Sequence, residues 1–183
     1  MAGSTTTRRA LLGGHPVAHV PATDRLARLL GLELLAAFTY DHILNSSVLP
    51  ADMRQTLAPV PTHERAHAAA LDAALRARGA GDRAPRGPAD VAAANRDLRR
   101  RKVRGRLGQL QGTPDALDTL AALERVIVGA YYVTLLDLDD GSLIALAMQI
   151  MASDAQHQAI VAELIDPDDI PDAVPYGLDA GVQ

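Results

Sequence analysis

A short pattern of charged and aromatic residues occurs twice in this chain, once in each half. Leu32-Glu33 is followed seven residues later by Tyr40, and Leu123-Glu124 is followed at the same distance by Tyr131. Seven residues are two helical turns, so each Glu and its Tyr share one helix face. Further on, Glu64-Arg65-Ala66-His67 and Asp154-Ala155-Gln156-His157 each set a carboxylate and an imidazole at i and i+3, again on one face. Glu33 precedes Glu64 by 31 residues, and Glu124 precedes Asp154 by 30. Matched groups at matched spacing predict two helical hairpins related by a pseudo-twofold axis. Their polar faces then converge on a single point.

Apolar periodicity divides the chain into four long helical segments, expected over about 23–49, 52–78, 114–137 and 141–165. Composition agrees, since 34 Ala and 26 Leu far outnumber 12 Val and 7 Ile. One Phe and no Trp leave an aliphatic core and disfavour a sheet sandwich. Thr23 or Asp24 is the expected N-cap of the first helix, and Pro50 its stop. Pro59 and Pro61 break the first turns of the second, so its regular part starts near Thr62, and Gly79 and Gly81 close it. Thr113 caps the third, with Pro114 in its first turn. Asp166-Pro167 ends the fourth.

Short links make each pair an antiparallel hairpin. The 34 residues from Ala80 to Thr113 can travel the length of the bundle, with a short helix expected near 89–102. The expected architecture is all-α, a four-helix bundle with one long crossover between its second and third helices. Residues 23–166 form it, 1–22 read as a disordered N-terminal arm, and 167–183 as an extended tail. Thr7-Arg8-Arg9-Ala10-Leu11-Leu12 looks like a twin-arginine export signature, but a Gly-, His- and Pro-containing stretch stands where the apolar region belongs. The expectation is a cytoplasmic protein, with export by the twin-arginine route as the alternative.

Several function classes drop out. With no cysteine there are no disulfides, zinc–thiolate sites, iron–sulfur clusters or thiol nucleophiles. No uncharged apolar run is long enough to span a membrane. The basic run Arg96, Arg99, Arg100, Arg101, Lys102, Arg104, Arg106 has no interleaved aromatics for base stacking, and the net charge is −4. It reads as a solvated crossover whose cations pair with the acidic bundle or with the Asp-rich tail, not as a nucleic-acid surface.

Glu33 and Glu124 sit among Leu, Ile and Val, with no Lys or Arg on the same apolar stripe. Burying a lone carboxylate costs several kcal/mol. Adding Glu64 and Asp154 brings as many as four negative charges into one core. Two divalent metals neutralise them, and the imidazoles of His67 and His157 complete the donor set. Bundles that hold two metals by carboxylates use this layout: a Glu from each of two helices and a Glu-x-x-His from each of the others.

On these six positions the chain resembles the ferritin-like superfamily, most closely bacterial ferritin-like domain proteins with a bacterioferritin-like ligand pattern, over about residues 23–166. The resemblance implies a ferritin-like bundle holding two Fe (or Mn) ions. In it Glu64 and Asp154 take bridging positions, Glu33 and Glu124 terminal ones, and His67 and His157 supply nitrogen. Tyr40 matches a tyrosine beside the metal pair and takes a catalytic role, supplying an electron or a hydrogen bond. The implied activity is O2- or peroxide-dependent oxidation of Fe(II) or of a small substrate. The alternative is a non-catalytic bundle, stress-associated or structural, with a vestigial or partial metal site. Tyr40 and Tyr131 then serve as core aromatics with satisfied hydroxyls.

Two departures qualify the resemblance. Asp154 stands where the family has Glu and reaches roughly 1.5 Å less far, which leaves one metal position weak, empty or held by a shifted backbone. Arg65 stands where the family's haem-ligating Met follows the second-helix Glu, so no haem is expected. The tail carries no fifth-helix pattern, which favours a monomer or homodimer over a cage. His42 and His63 read as surface or hairpin histidines, His63 turning about 100° away from Glu64.

Overall fold

The computed structural model describes residues 20–167. The expected arm before residue 20 and the tail after residue 167 lie outside the described residues. Within them the chain forms α1 (Ala22–Leu44), α2 (Ala51–Leu57), α3 (Val60–Ala77), α4 (Val91–Arg100), α5 (Thr113–Leu135) and α6 (Gly141–Ile165), with a 3-10 turn at Gly81–Arg83. No strand occurs among the described residues. The all-α bundle expected from the sequence is the fold.

Helix ends differ from expectation where side chains compete for the terminal backbone. α1 stops at Leu44, five residues short of Leu49. Asn45 bonds the Asp41 carbonyl through both its backbone N–H and its Nδ2, and Ser46 does the same to Ile43. These polar groups satisfy the orphan carbonyls and end the helix before Pro50 can. At the other end, Pro21 is the cap; its carbonyl accepts from Asp24 and Arg25, and neither Thr23 nor Asp24 acts as one. The second segment splits into α2 and α3, and α3 begins at Val60, ahead of Thr62. Pro61 falls in its first turn, where a missing N–H costs nothing. Gly112, not Thr113, caps α5; the Thr113 hydroxyl donates instead to the Val48 carbonyl at 2.9 Å. α6 has the expected bounds, with Asp140 accepting from the Ser142 and Leu143 amides.

Cross-helix contacts give the topology. Arg25 pairs with Asp137 at 2.6 Å, and Thr113 meets Val48, so α1 and α5 run antiparallel. Asp24 pairs with Arg83 just beyond α3, and Asp41 pairs with Arg65, so α1 and α3 are antiparallel too. α3 and α5 therefore point the same way, and the chain between them must return along the bundle. That crossover is tied down twice. Asn95 brackets Leu107, donating to its carbonyl at 3.1 Å and accepting from its amide at 2.8 Å. Gly105, at φ +110, lies so close to α5 that a Cβ there would fall 2.0 Å from Thr119 Oγ1.

The core is aliphatic, as the composition predicts. Leu26, Leu29, Leu71, Leu75, Leu120 and Leu123 are buried along the bundle, and Leu98 and Leu107 of the crossover cap its flank. Burial of each such leucine is worth about 1.5–3 kcal/mol. Into this interior the four long helices carry acids.

Candidate metal centre

Each long helix contributes on the turn where the repeat placed its polar group. α1 presents Glu33, α3 Glu64 and His67, α5 Glu124, and α6 Asp154 and His157. All four carboxylates are 0% exposed, and His157 is 3% exposed. The side chain of His67 is 12% exposed. Donor atoms fall into two overlapping groups, each within 4.8 Å: Glu33, Glu64, His67, Asp154, and Glu64, Glu124, Asp154, His157. Glu64 and Asp154 belong to both. Despite its missing methylene, Asp154 reaches either group.

The two tyrosines lie between the halves. Tyr40 donates to Glu124 Oε1 and Tyr131 donates to Glu33 Oε1, each at 2.6 Å and each buried. His67 Nδ1 lies 3.2 Å from Glu33 Oε2, 3.2 Å from Asp154 Oδ1 and 3.8 Å from Glu64 Oε2. His157 Nδ1 approaches Glu64 Oε1 at 2.8 Å but out of line for a hydrogen bond.

Protonation follows from this crowding. Burial pushes the Glu33 and Glu124 carboxyls well above the usual range, and neighbouring acids add to it. Asp154 is raised by burial, with His67 pulling the other way. Burial also raises Glu64, but the imidazoles of His157 and His67 outweigh that and bring it to about 2. Burial would lower His67; Asp154, Glu33 and Glu64 instead lift it to about 12. Burial and Glu124 raise Tyr40, while burial and Glu33 raise Tyr131, so both keep their protons and act as donors.

The donor set suits hard or borderline divalent cations. Both oxygens of Glu64, both of Asp154, Glu124 Oε2 and His157 Nδ1 are buried with no hydrogen-bond partner. Buried polar atoms without partners are uncommon, and six in one place invite a cation. Those atoms include both oxygens of each carboxylate shared by the two groups.

Other residues fall less as the sequence suggested. Arg65 faces outward and pairs with Asp41. His63 is exposed, as the surface reading has it, and still touches the centre from outside: its Nδ1 lies 3.1 Å from His157 Nε2, with the two ring planes 15° from parallel. Thr39, unmarked by the repeat, is buried with its hydroxyl unpartnered.

A helical bundle with paired carboxylate–histidine groups at its centre defines a class of protein. Residues 22–167 match the ferritin-like domain family, and the chain belongs to that family. No curated protein and no solved structure matches the chain. No described helix is long and apolar enough to cross a membrane.

Proposed function

We propose that this centre binds two divalent metal ions, iron or manganese, and that the protein uses them to oxidise Fe(II) or a small substrate with O2 or peroxide. The observation that carries the reading is the set of unpartnered donor atoms on Glu64, Asp154, Glu124 and His157, all deep in an aliphatic core. Glu64 and Asp154 would bridge, Glu33 with His67 would complete one position, and Glu124 with His157 the other. Bound iron or manganese would supply stepwise electron transfer to O2 or peroxide.

The chain's own residues do the rest. Tyr40 holds its proton at Glu124 Oε1 and leaves Oε2 free to face a cation. Tyr131 orients Glu33 in the same way. Ile127, Ile150 and Val161 occupy neighbouring turns and keep bulk water out. A tail sequence without a fifth-helix pattern, and Arg65 where the family has its haem-ligating Met, support a monomer or homodimer working without haem.

A second reading has one observation in its favour. His67, held protonated among Glu33, Asp154 and Glu64, already neutralises part of the negative charge. A non-catalytic bundle could keep that network with a partial metal site.

Elemental analysis of the purified protein, followed by Fe(II) titration in air, separates the two. About two metals per chain with rapid appearance of ferric absorbance is expected. No metal at any loading, with an unchanged Tm, would overturn the proposal, because binding to the native state alone must raise stability.

A further inference from the structure

His63 belongs to neither group of donor atoms, yet it engages one member of them. Its Nδ1 is 3.1 Å from His157 Nε2, and the rings meet edge to edge with centroids 5.4 Å apart and planes 15° from parallel. The other nitrogen of His157, Nδ1, faces Glu64 Oε1 at 2.8 Å and has no hydrogen-bond partner. The buried ring is therefore divided, one nitrogen toward the carboxylates and one toward His63. An imidazole that gives its Nδ1 lone pair to a cation carries its proton on Nε2. His63 Nδ1 stands where it can accept that N–H.

We infer that His63 is a positioning residue that sets the tautomer and ring orientation of His157, so that the position built from Glu124 and His157 binds metal more tightly than the one built from Glu33 and His67. The inference rests on the two-metal reading. Its physical basis is general: a ligating histidine held through its second nitrogen is pre-oriented and more basic.

The other half of the bundle lacks the device. The repeat pairs Glu64 with Asp154, so the counterpart of His63 is Ser153. No hydrogen bond joins Ser153 to His67 among the described residues. The His67 side chain is also the more exposed of the two imidazoles, and its Nδ1 is shared among three carboxylates. A pseudo-symmetric sequence thus folds into two chemically unequal positions.

Titration of the full chain with Co(II) under anaerobic conditions tests this, read by visible absorbance and calorimetry. The wild-type protein is expected to bind in two separable steps. His63→Ala should weaken the tighter step by about tenfold to a hundredfold and leave the weaker unchanged. His63→Asn, whose amide oxygen can accept from Nε2–H, should restore most of the loss. A second readout uses the Zn(II)-loaded protein, which is diamagnetic: 15N NMR of the histidine rings should report a hydrogen-bonded His157 Nε2–H in the wild type and a shifted, faster-exchanging one in His63→Ala. Two cobalt sites untouched by His63→Ala, or an unchanged His157 Nε2–H signal in the zinc-loaded variant, would overturn the inference and leave the two-metal reading standing. A wild-type protein that takes up no cobalt would overturn both.

Discussion

Tyr40 on α1 donates its hydroxyl to Glu124 on α5, and Tyr131 on α5 donates to Glu33 on α1, each across 2.6 Å. Each tyrosine serves the carboxylate of the opposite helix. Two antiparallel helices with the same seven-residue spacing bring every Tyr level with the other's Glu. The exchange ties the two hairpins together at the depth where the acids lie.

Removing one donor should expose its value. Tyr40→Phe leaves a buried Glu124 oxygen unsatisfied and is expected to destabilise the metal-free protein by about 1–3 kcal/mol. Urea unfolding measures it. A double-mutant cycle with Glu124→Gln should show coupling between the pair, and no coupling would mean the hydroxyl is merely packed.

Glu64 is shared by both donor groups, so Glu64→Ala should abolish metal binding, not halve it. Elemental analysis after loading and dialysis gives the stoichiometry. Retention of one tightly bound ion would show that Glu64 is not a bridge.

The acid–base arrangement predicts how pH acts on the metal-free protein. Burial raises Glu33, Glu124 and Asp154 above their unfolded values, so the native state holds protons that the unfolded chain has released. Stability then falls as pH rises past the unfolded carboxylate range. His67, lifted from 6.5 to about 12, adds stability fully present below 6.5 and lost as pH climbs through its folded value. Glu64 works in the opposite sense: its contribution is present above 4.5 and disappears as pH falls toward about 2. Metal must displace protons from the raised groups, so apparent affinity should increase with pH and binding should release protons. Calorimetry in buffers of different ionisation enthalpy detects that release, and its absence would contradict these protonation states.

The crossover offers a test independent of the centre. Lys102 adopts φ +59 at the end of α4, where the Lys102 and Val103 amides bond back to Arg99 and Leu98. Glycine suits that left-handed position, so Lys102→Gly should stabilise the protein by up to about 1 kcal/mol. Gly105→Ala should do the reverse, because its new Cβ would collide with Thr119 on α5. Urea midpoints for the two variants should move in opposite directions.

Helices, hairpins and the six-residue cluster were legible because they are local or repetitive. A 3.6-residue period and a recurring Glu, Tyr and carboxylate-x-x-His can be read along one strand of text. α6 begins and ends where the pattern said. α1 did not end at its proline, because Asn45 and Ser46 capped it first. His63 is exposed and outside both donor groups, as read, but its contact with His157 was not legible. Its angular offset from Glu64 does turn it away from its own helix's polar face, but α6 stands on that side and supplies His157.

By itself, then, the order of residues determined which side chains are carried inward, since spacing around a helix depends only on the chain. Only the tertiary structure decided which acid each tyrosine holds, and that one imidazole has an outer histidine partner while its counterpart shows none among the described residues. Those relationships run between helices, and no distance along the chain encodes which faces will meet.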